Sequence, residues 1–229
     1  MDYMIKTKGV TRCFKTSGGD FWALKGIDIQ APKGGLTILK GRSGSGKTTL
    51  LNILGALDIP TDGTVFFGDQ EITGLDERKR TRLRRTQIGF IFQSVALIPM
   101  MSALENVEYA LRLTRYKGDR TARAKECLKL LGLGQRMNHL PQELSGGEQQ
   151  RVAIARAIAR AIAHKPQVIF ADEPTGELDT NTGLQVVKIF KELTQSEGVT
   201  IIMTTHDPGL MELGDAVYEL EDGEIVNGK

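Results

Sequence analysis

The sequence predicts an α/β fold, and three observations support this prediction. An apolar run at residues 36–39 is typical of a buried strand, and residues 48–57 are typical of a helix. Between them lies a glycine-rich stretch, GRSGSGKTT, at residues 41–49. Further strand-like runs then alternate with helical segments, as in a parallel sheet with helices packed on its faces.

The glycine-rich stretch fits the pattern G-x-x-x-x-G-K-[ST] of a phosphate-binding loop. Gly41, Gly46, Lys47 and Thr48 occupy the fixed positions. Glycines let the loop wrap a phosphate chain with backbone N–H groups pointing inward, and the following helix adds the positive end of its dipole. The lysine would reach the β- and γ-phosphates, and the threonine hydroxyl would bind Mg²⁺.

Size and composition are those of an ordinary globular chain. The 229 residues include 30 basic and 28 acidic side chains, so the overall charge does not argue for nucleic acid, and we expect no such partner. No apolar run approaches the roughly 18 residues of a membrane span, and the N-terminus lacks the apolar segment of a secretory signal. We expect Cys13 and Cys127 to be reduced thiols in a cytosolic protein, because they have no metal-binding spacing.

Strands are predicted near the N-terminus at residues 3–14 and 22–31, with Phe14, Phe21 and Trp22 in or between them. An aromatic ring before the phosphate-binding loop could supply the face on which a base stacks, or it could pack in the core. The residues alone leave both interpretations open.

Three stretches in the middle of the chain also allow two interpretations. Residues 77–85, ERKRTRLRR, are predicted to form a basic helix capped by Asp76. This helix either binds an anionic partner, nucleic acid or lipid, or simply presents a solvated face. Gln93 follows a strand, where its amide either ligates Mg²⁺ or positions a water, or only caps the strand. SVALIPMMSAL, at residues 94–104, is either an exposed docking surface or core.

A helical subdomain is predicted at residues 94–143. Ser102 and Glu105 form a capping box, so a helix begins there and runs to about residue 115. A second helix is predicted at residues 121–131. These two helices interrupt the alternation of strands.

The motif LSGGE, at residues 144–148, precedes a predicted helix at residues 149–163. Two glycines and a serine at a helix N-terminus form either a second anion cradle or an ordinary helix start with Ser145 as the N-cap. Within the helix the residues IARA occur twice in succession, at 154–157 and 158–161.

Acidic side chains follow the strand predicted at residues 168–171. Because ligands bind at the carboxyl edge of an open α/β sheet, we expect Asp172 to hold Mg²⁺ and Glu173 to orient or deprotonate a water. Asp179 is the predicted N-cap of the next helix, and His206, just past the next strand, is a candidate phosphate contact.

In this order, GRSGSGKT, Gln93, LSGGE, VIFADE, Asp179 and His206 resemble the motifs of the ATP-binding subunit of an ABC transporter. The resemblance covers essentially the whole chain, residues 1–229, as one ATP-binding domain. It implies a three-layer α/β P-loop NTPase core, a small antiparallel β subdomain and the helical subdomain.

The resemblance also implies roles for individual residues. Phe14 matches the aromatic that stacks on adenine, and Gln93 matches the glutamine that contacts Mg²⁺ and senses the membrane partner. Glu173 matches the catalytic glutamate, His206 the switch histidine and Asp179 the D-loop aspartate. The other residues implied to contact ATP are Gly41, Arg42, Ser43, Gly44, Ser45, Gly46, Lys47, Thr48, Thr49, Ser145, Gly146, Gly147 and Glu148. The residues implied to bind Mg²⁺ are Thr48, Gln93 and Asp172.

Three stretches, VTRCFKTSGGDFWALKGIDI, IGFIFQSVALIPMMSALENV and ADEPTGELD, resemble the macrolide-export and lipoprotein-release branch. This branch implies a homodimer in the ATP-bound state, in which the partner's LSGGE covers the γ-phosphate. ATP-driven closure would move a separate transmembrane permease subunit at the cytoplasmic face of the cell membrane. Export, lipoprotein release or force transmission would follow.

Two features depart from the family pattern. Glu177 stands where the family usually has Asn, an exposed change that we expect to matter little. The family usually has one IARA, so the chain is four residues longer there. Four helical residues add about 6 Å and about 40° of rotation. The repeat would therefore disturb how LSGGE faces the sheet unless it loops out.

Other classes fit the sequence less well. A DNA-repair or chromosome-type ATPase would need a long heptad-patterned insertion, and residues 94–143 are too short and unpatterned. A translation-factor ATPase of this superfamily normally carries two cassettes in one chain. A non-catalytic binding module would be expected to lose Lys47 or Glu173, and both are present.

Overall fold

Two β-sheets organise the computed structural model, which describes residues 2–93, 95–164 and 167–228, with the backbone alone at 161–164. The strands are β1 (Tyr3–Thr16), β2 (Gly19–Ile27), β3 (Gln30–Pro32), β4 (Leu36–Lys40), β5 (Asp62–Phe67), β6 (Gln70–Glu71), β7 (Ile88–Ile91), β8 (Val168–Ala171), β9 (Thr200–Thr205), β10 (Ala216–Glu221) and β11 (Glu224–Gly228). The α-helices are α1 (Lys47–Leu54), α2 (Glu77–Gln87), α3 (Ala103–Leu113), α4 (Arg120–Leu130), α5 (Gly146–His164) and α6 (Thr180–Glu197).

The antiparallel sheet lies near the N-terminus and has the order β2-β1-β5-β6, with β3 also paired to β1. The strand predicted at residues 22–31 is two strands. The chain leaves the sheet after Ile27, where Asp28 Oδ1 accepts a hydrogen bond from Gly9 N at 2.7 Å. It then pairs β3 with the opposite end of β1.

The central sheet has the order β11-β10-β4-β9-β8-β7. The strands from β10 to β7 are parallel, and β11 closes an antiparallel hairpin with β10. All residues of β8 and β9 are buried, because helices and the antiparallel sheet cover the two faces of this sheet. The predicted α/β fold is confirmed.

Helix boundaries follow local chemistry. α1 ends at Leu54, three residues before the predicted end, because Gly55 caps the helix and Ala56 takes a left-handed conformation with φ +56°. α3 begins with the predicted capping box of Ser102 and Glu105. α3 and α4 pack against each other and against α5.

The repeated IARA does not loop out. Helix α5 runs without interruption from Gly146 to His164. Ile154 and Ile158, the first residues of the two copies, are both fully buried in the core. The repeat therefore lengthens the buried helix, because residues four apart lie on nearly the same face.

None of the helices in the described ranges has the length and apolar character needed to cross a membrane.

Candidate functional site

The glycine-rich loop joins β4 to α1 at the carboxyl edge of the central sheet. Gly44 and Gly46 have φ of +82° and +103°, a region that favours glycine. A Cβ at Gly41 would lie 2.4 Å from the carbonyl oxygen of Leu220, and a Cβ at Gly46 would lie 2.7 Å from that of Ala23. Conformation and space therefore both require glycine in this loop.

Lys47, the first residue of α1, is buried at the base of the loop and is 5% exposed. Its Nζ donates hydrogen bonds to the carbonyl oxygens of Gly41 at 2.8 Å and Arg42 at 3.0 Å. It also lies 3.4 Å from Oε1 of Glu173. A buried ammonium is costly unless it is paired, and these contacts hold the charge between the loop and the acidic strand end.

Asp172 is fixed from two sides at the end of β8. Thr48 Oγ1 donates to Asp172 Oδ2 at 2.8 Å, and Thr204 Oγ1 donates to Asp172 Oδ1 at 2.7 Å. Hydroxyl and carboxylate oxygens are ligands that Mg²⁺ prefers, so the paired Thr48 and Asp172 provide suitable donors. Gln93 lines a cavity together with Thr48, and its contact with Mg²⁺ stays a prediction.

The role of Thr204 was missed in the sequence. Besides holding Asp172, its Oγ1 accepts a hydrogen bond from the backbone N–H of Glu173 at 2.8 Å. The available signal was its place at the end of a strand before His206. That position predicts a contact with Asp172 only when β8 and β9 are known to be neighbouring strands.

Glu173 occupies a strained position. Its φ is +43°, which is uncommon for a residue with a side chain and is found disproportionately at functional sites. Its Oε2 lies 3.4 Å from Nδ1 of His206, while Oε1 faces Lys47. The carboxylate is therefore held between two cationic or potentially cationic groups at the sheet edge.

These groups surround one cavity of about 630 Å³ above the phosphate-binding loop, which we call the loop cavity. The cavity is lined by Phe21, Ala23, Arg42, Ser43, Gly44, Gly46, Lys47, Thr48, Thr49, Gln93, Glu173 and His206. Glycines that admit a phosphate chain, a buried ammonium and a carboxylate thus meet in one place. This arrangement suits binding and hydrolysis of a nucleoside triphosphate.

The three N-terminal aromatic residues are exposed, so the interpretation that they pack in the core is wrong. Phe14, Phe21 and Trp22 are 36%, 56% and 45% exposed. Phe21 lines the cavity, and Phe14 lies opposite it on β1 with the Arg12 guanidinium 4.5 Å from its ring centroid. Stacking of adenine on Phe14 stays a prediction.

The LSGGE motif forms the N-terminus of α5. Ser145 and Glu148 cap it reciprocally: Ser145 Oγ accepts from Glu148 N at 3.2 Å, and Glu148 Oε2 accepts from Ser145 N at 2.9 Å. This backbone hydrogen bond lowers the pKa of Glu148, as does the neighbouring Arg136 guanidinium, whose Nε lies 2.9 Å from Glu148 Oε1. Residues 145–148 are not among the described residues that line the loop cavity.

Asp179 lies apart from the loop as well. It caps α6 by accepting from Thr182 N at 3.1 Å, and the hydrogen bonds from Thr182 lower its pKa. It lines a second cavity of about 390 Å³, to which Glu173 and His206 also contribute. The structure thus places Asp179 in a cavity that it shares with Glu173 and His206.

Comparison with known proteins identifies the family. The family model described as ABC transporter matches residues 24–176, a span that contains the loop, Gln93, LSGGE and both acids. The chain belongs to the ABC transporter family. ATP and Mg²⁺ binding and ATPase activity, predicted from the motifs, are confirmed as properties of this cassette.

Relatives cover the whole cassette. This chain is 44% identical over 228 residues to the ABC transporter ATP-binding protein MJ0796 of Methanocaldococcus jannaschii, and the match covers 97% of this chain and 95% of that protein. The lipoprotein-releasing system ATP-binding protein LolD 2 of Caulobacter vibrioides is 41% identical, covering 98% of this chain and 97% of that one. The macrolide export ATP-binding/permease protein MacB of Wolinella succinogenes is 44% identical over 98% of this chain, which spans 34% of MacB.

A solved structure of the MJ0796 cassette superposes with a TM-score of 0.89 at 41% identity, covering 99% of this chain and 98% of that chain. It is described as a dimeric post-hydrolysis state bound to ADP and Pi. The three-layer cassette fold is confirmed.

Proposed function

We propose that the cassette is the ATP-hydrolysing subunit of a transporter, in which two copies close head to tail over ATP and thereby move a separate membrane subunit. One observation carries the proposal. The loop cavity contains the phosphate-binding loop, Gln93, Glu173 and His206, whereas LSGGE lies elsewhere on the same described chain. Each chain thus holds two incomplete halves of a site, which a second copy would complete. The dimeric MJ0796 structure supports this arrangement.

Hydrolysis in such a site requires positioning and charge neutralisation more than covalent chemistry. Lys47 neutralises the β- and γ-phosphates, and the carboxylate of Glu173 orients the attacking water and accepts its proton. His206, 3.4 Å from Glu173, contacts the γ-phosphate. Mg²⁺, when bound by Thr48, Gln93 and Asp172, supplies further neutralisation of the phosphates.

The membrane subunit docks beside Gln93. Phe92 and Met100 are 48% and 87% exposed, although they are large and apolar, while Leu97 packs against the core. The segment from Phe92 to Met100 therefore has a buried part and an exposed part, and the exposed part is suited to an apolar partner. Docking there places the cassette at the cytoplasmic face of the membrane. The relatives LolD 2 and MacB support lipoprotein release or export as the driven process.

The test compares Glu173→Gln with Glu177→Gln, an exposed control four residues away. We expect Glu173→Gln to lower the hydrolysis rate by about 10² to 10⁴-fold, because the water loses its base. In ATP and Mg²⁺ this variant should elute from size-exclusion chromatography with light scattering at twice the 25.1 kDa of one chain. The control should hydrolyse ATP like the wild type. A Glu173→Gln protein that stays monomeric at saturating ATP would refute the closed dimer.

A further inference from the structure

Helix α2 carries two sets of basic side chains that differ in their contacts. The inner set is paired: Arg80 and Arg84 lie 2.5 Å and 2.6 Å from the single carboxylate of Glu77. Arg84 Nη1 also donates to the carbonyl oxygen of Ala56 at 2.5 Å. Leu83, 4% exposed, anchors the same face in the core.

The outer set is Arg78, Arg82 and Arg85, which we call the outer stripe. Their spacing of four and three residues places them in one row along the helix. All three are exposed, and none forms an ion pair with a carboxylate within the described ranges. Lys79 stands beside the row, 3.6 Å from Asp76. The stripe is thus a row of cationic groups on one helix that is available to a ligand.

Charge in this protein is concentrated on α2. Residues 76–87 contain six basic and two acidic side chains, whereas the whole chain contains 30 and 28. The rest of the chain therefore has 24 basic and 26 acidic side chains. The near-zero net charge conceals a local patch, so it gives no argument against an anionic ligand at this helix.

The helix that carries the outer stripe ends close to the surface proposed to face the membrane. The contact of Arg84 with Ala56 brings α2 next to Leu57 and Ile59, which are 42% and 43% exposed. From the same C-terminal end, α2 leads through β7 to Phe92 and Gln93, where the membrane subunit is proposed to dock. A row of arginines on a helix whose end lies beside exposed apolar residues matches the headgroup layer of a bilayer.

We propose that the outer stripe binds anionic phospholipid headgroups, so that the cassette contacts the membrane directly as well as through its partner subunit. The location rests on the proposed function; the charge pattern does not. Nucleic acid fits less well, because α2 offers no aromatic ring for stacking and its neighbours are apolar. Leu83 is buried and is the single apolar residue of α2, so binding is electrostatic and requires no insertion.

The test is flotation of the full chain with vesicles of phosphatidylcholine alone or with about one third phosphatidylglycerol. The variant is Arg78→Gln, Arg82→Gln and Arg85→Gln together. The control replaces three exposed lysines of other helices, Lys125, Lys129 and Lys188, by Gln, and so removes the same charge. Each lost arginine should weaken binding to anionic vesicles by about fivefold, and the triple variant by on the order of a hundredfold.

We expect wild type and control to bind anionic but not neutral vesicles. Both should detach at about 1 M salt, where the Debye length falls to about 3 Å and the attraction between charges is screened. Equal binding to neutral vesicles, equal loss in the control, or tighter binding to duplex DNA than to anionic vesicles would each overturn the proposal. ATP hydrolysis by the triple variant is measured in parallel and should equal that of the wild type. Lost lipid binding with intact ATPase then separates this proposal from the proposed function.

Discussion

Thr204 links the carboxylate of Asp172 to the backbone of Glu173 at the carboxyl edge of the sheet. It donates to Asp172 at 2.7 Å and accepts from the backbone of Glu173 at 2.8 Å. The accepted bond helps to hold Glu173 at its strained φ of +43°. Thr204 is therefore a positioning residue for both groups.

Thr204→Val removes these hydrogen bonds while keeping the side-chain shape. The backbone N–H of Glu173 loses its acceptor, so we expect the free energy of unfolding to fall by about 1 to 3 kcal/mol. The hydrolysis rate should fall and the Mg²⁺ requirement should rise, because Asp172 keeps only the hydrogen bond from Thr48 and loses one of its two fixing contacts. Urea unfolding and a Mg²⁺ titration of ATPase activity measure the two effects.

Thr37→Val is the matched control. Thr37 lies in the same sheet, is fully buried, and its hydroxyl has no hydrogen-bond partner among the described residues. Its replacement should leave stability unchanged or slightly raised. If both threonine variants behave alike, Thr204 has no special role at the site.

Residues that act within one short motif were predictable, and residues that act across strands were not. The loop and the pair of acids are local patterns whose chemistry follows from their spacing. Thr204 acts on a group 32 residues away. Phe21 lines the cavity although Phe14 matches the family position, because strand pairing and twist decide which aromatic faces the loop.

At the scale of elements, α4 carries a buried thiol. Cys127 is 2% exposed, and burial raises its pKa to about 11. Because thiolate is the reactive form, Cys127 should resist iodoacetamide in the folded protein at pH 8, while the partly exposed Cys13 reacts. Mass spectrometry should find one label per chain without urea and two labels with urea.

The raised pKa also predicts a pH dependence of stability. The folded state keeps Cys127 protonated, whereas the unfolded state releases the proton near its ordinary pKa of 9.0. This contribution to the free energy of unfolding is fully present below pH 9 and is lost as the pH rises towards about 11. Cys127→Ala should lack this loss between pH 9 and 11. An identical alkaline decline in both proteins would contradict the assignment.

Helix α5 is continuous through the repeated IARA, so the helix predicted at residues 149–163 is confirmed. The effect of the repeat on how LSGGE faces the sheet depends on what holds the motif in place. The motif is tethered before the repeat: Gln150 Nε2 donates to the carbonyl oxygen of Pro174 at 3.1 Å. A Cβ at Gly147 would lie 3.2 Å from the carbonyl oxygen of Glu177. Helical periodicity alone does not reveal such tertiary contacts.

Deletion of residues 158–161 tests this interpretation. The tether at Gln150 lies outside the deleted turn, so we expect the ATP hydrolysis rate to stay close to that of the wild type. Gln150→Leu, which removes the hydrogen bond to Pro174, should instead lower the rate by about 5- to 10-fold, the equivalent of one lost hydrogen bond. A large gain of activity on deletion would show that the repeat displaces LSGGE.

At the scale of the whole molecule, the order of motifs along the chain predicted the α/β cassette fold. The ATP site of this fold is one that a single chain does not complete. In the described chain, LSGGE does not line the loop cavity. A head-to-tail pair with twofold symmetry would bring each loop to the other copy's LSGGE and form two equal sites. This composite site is the central claim, because dimer closure and force on a membrane subunit both depend on it.

Mixing two inactive variants tests the claim most directly. Lys47→Ala disables the loop, and Ser145→Arg blocks LSGGE, so each variant alone should be inactive. In an equal mixture half of the dimers contain both variants, and each of these has one intact site. We predict recovery of about one quarter of the wild-type ATPase rate. A mixture as inactive as its components would contradict a site shared between two chains.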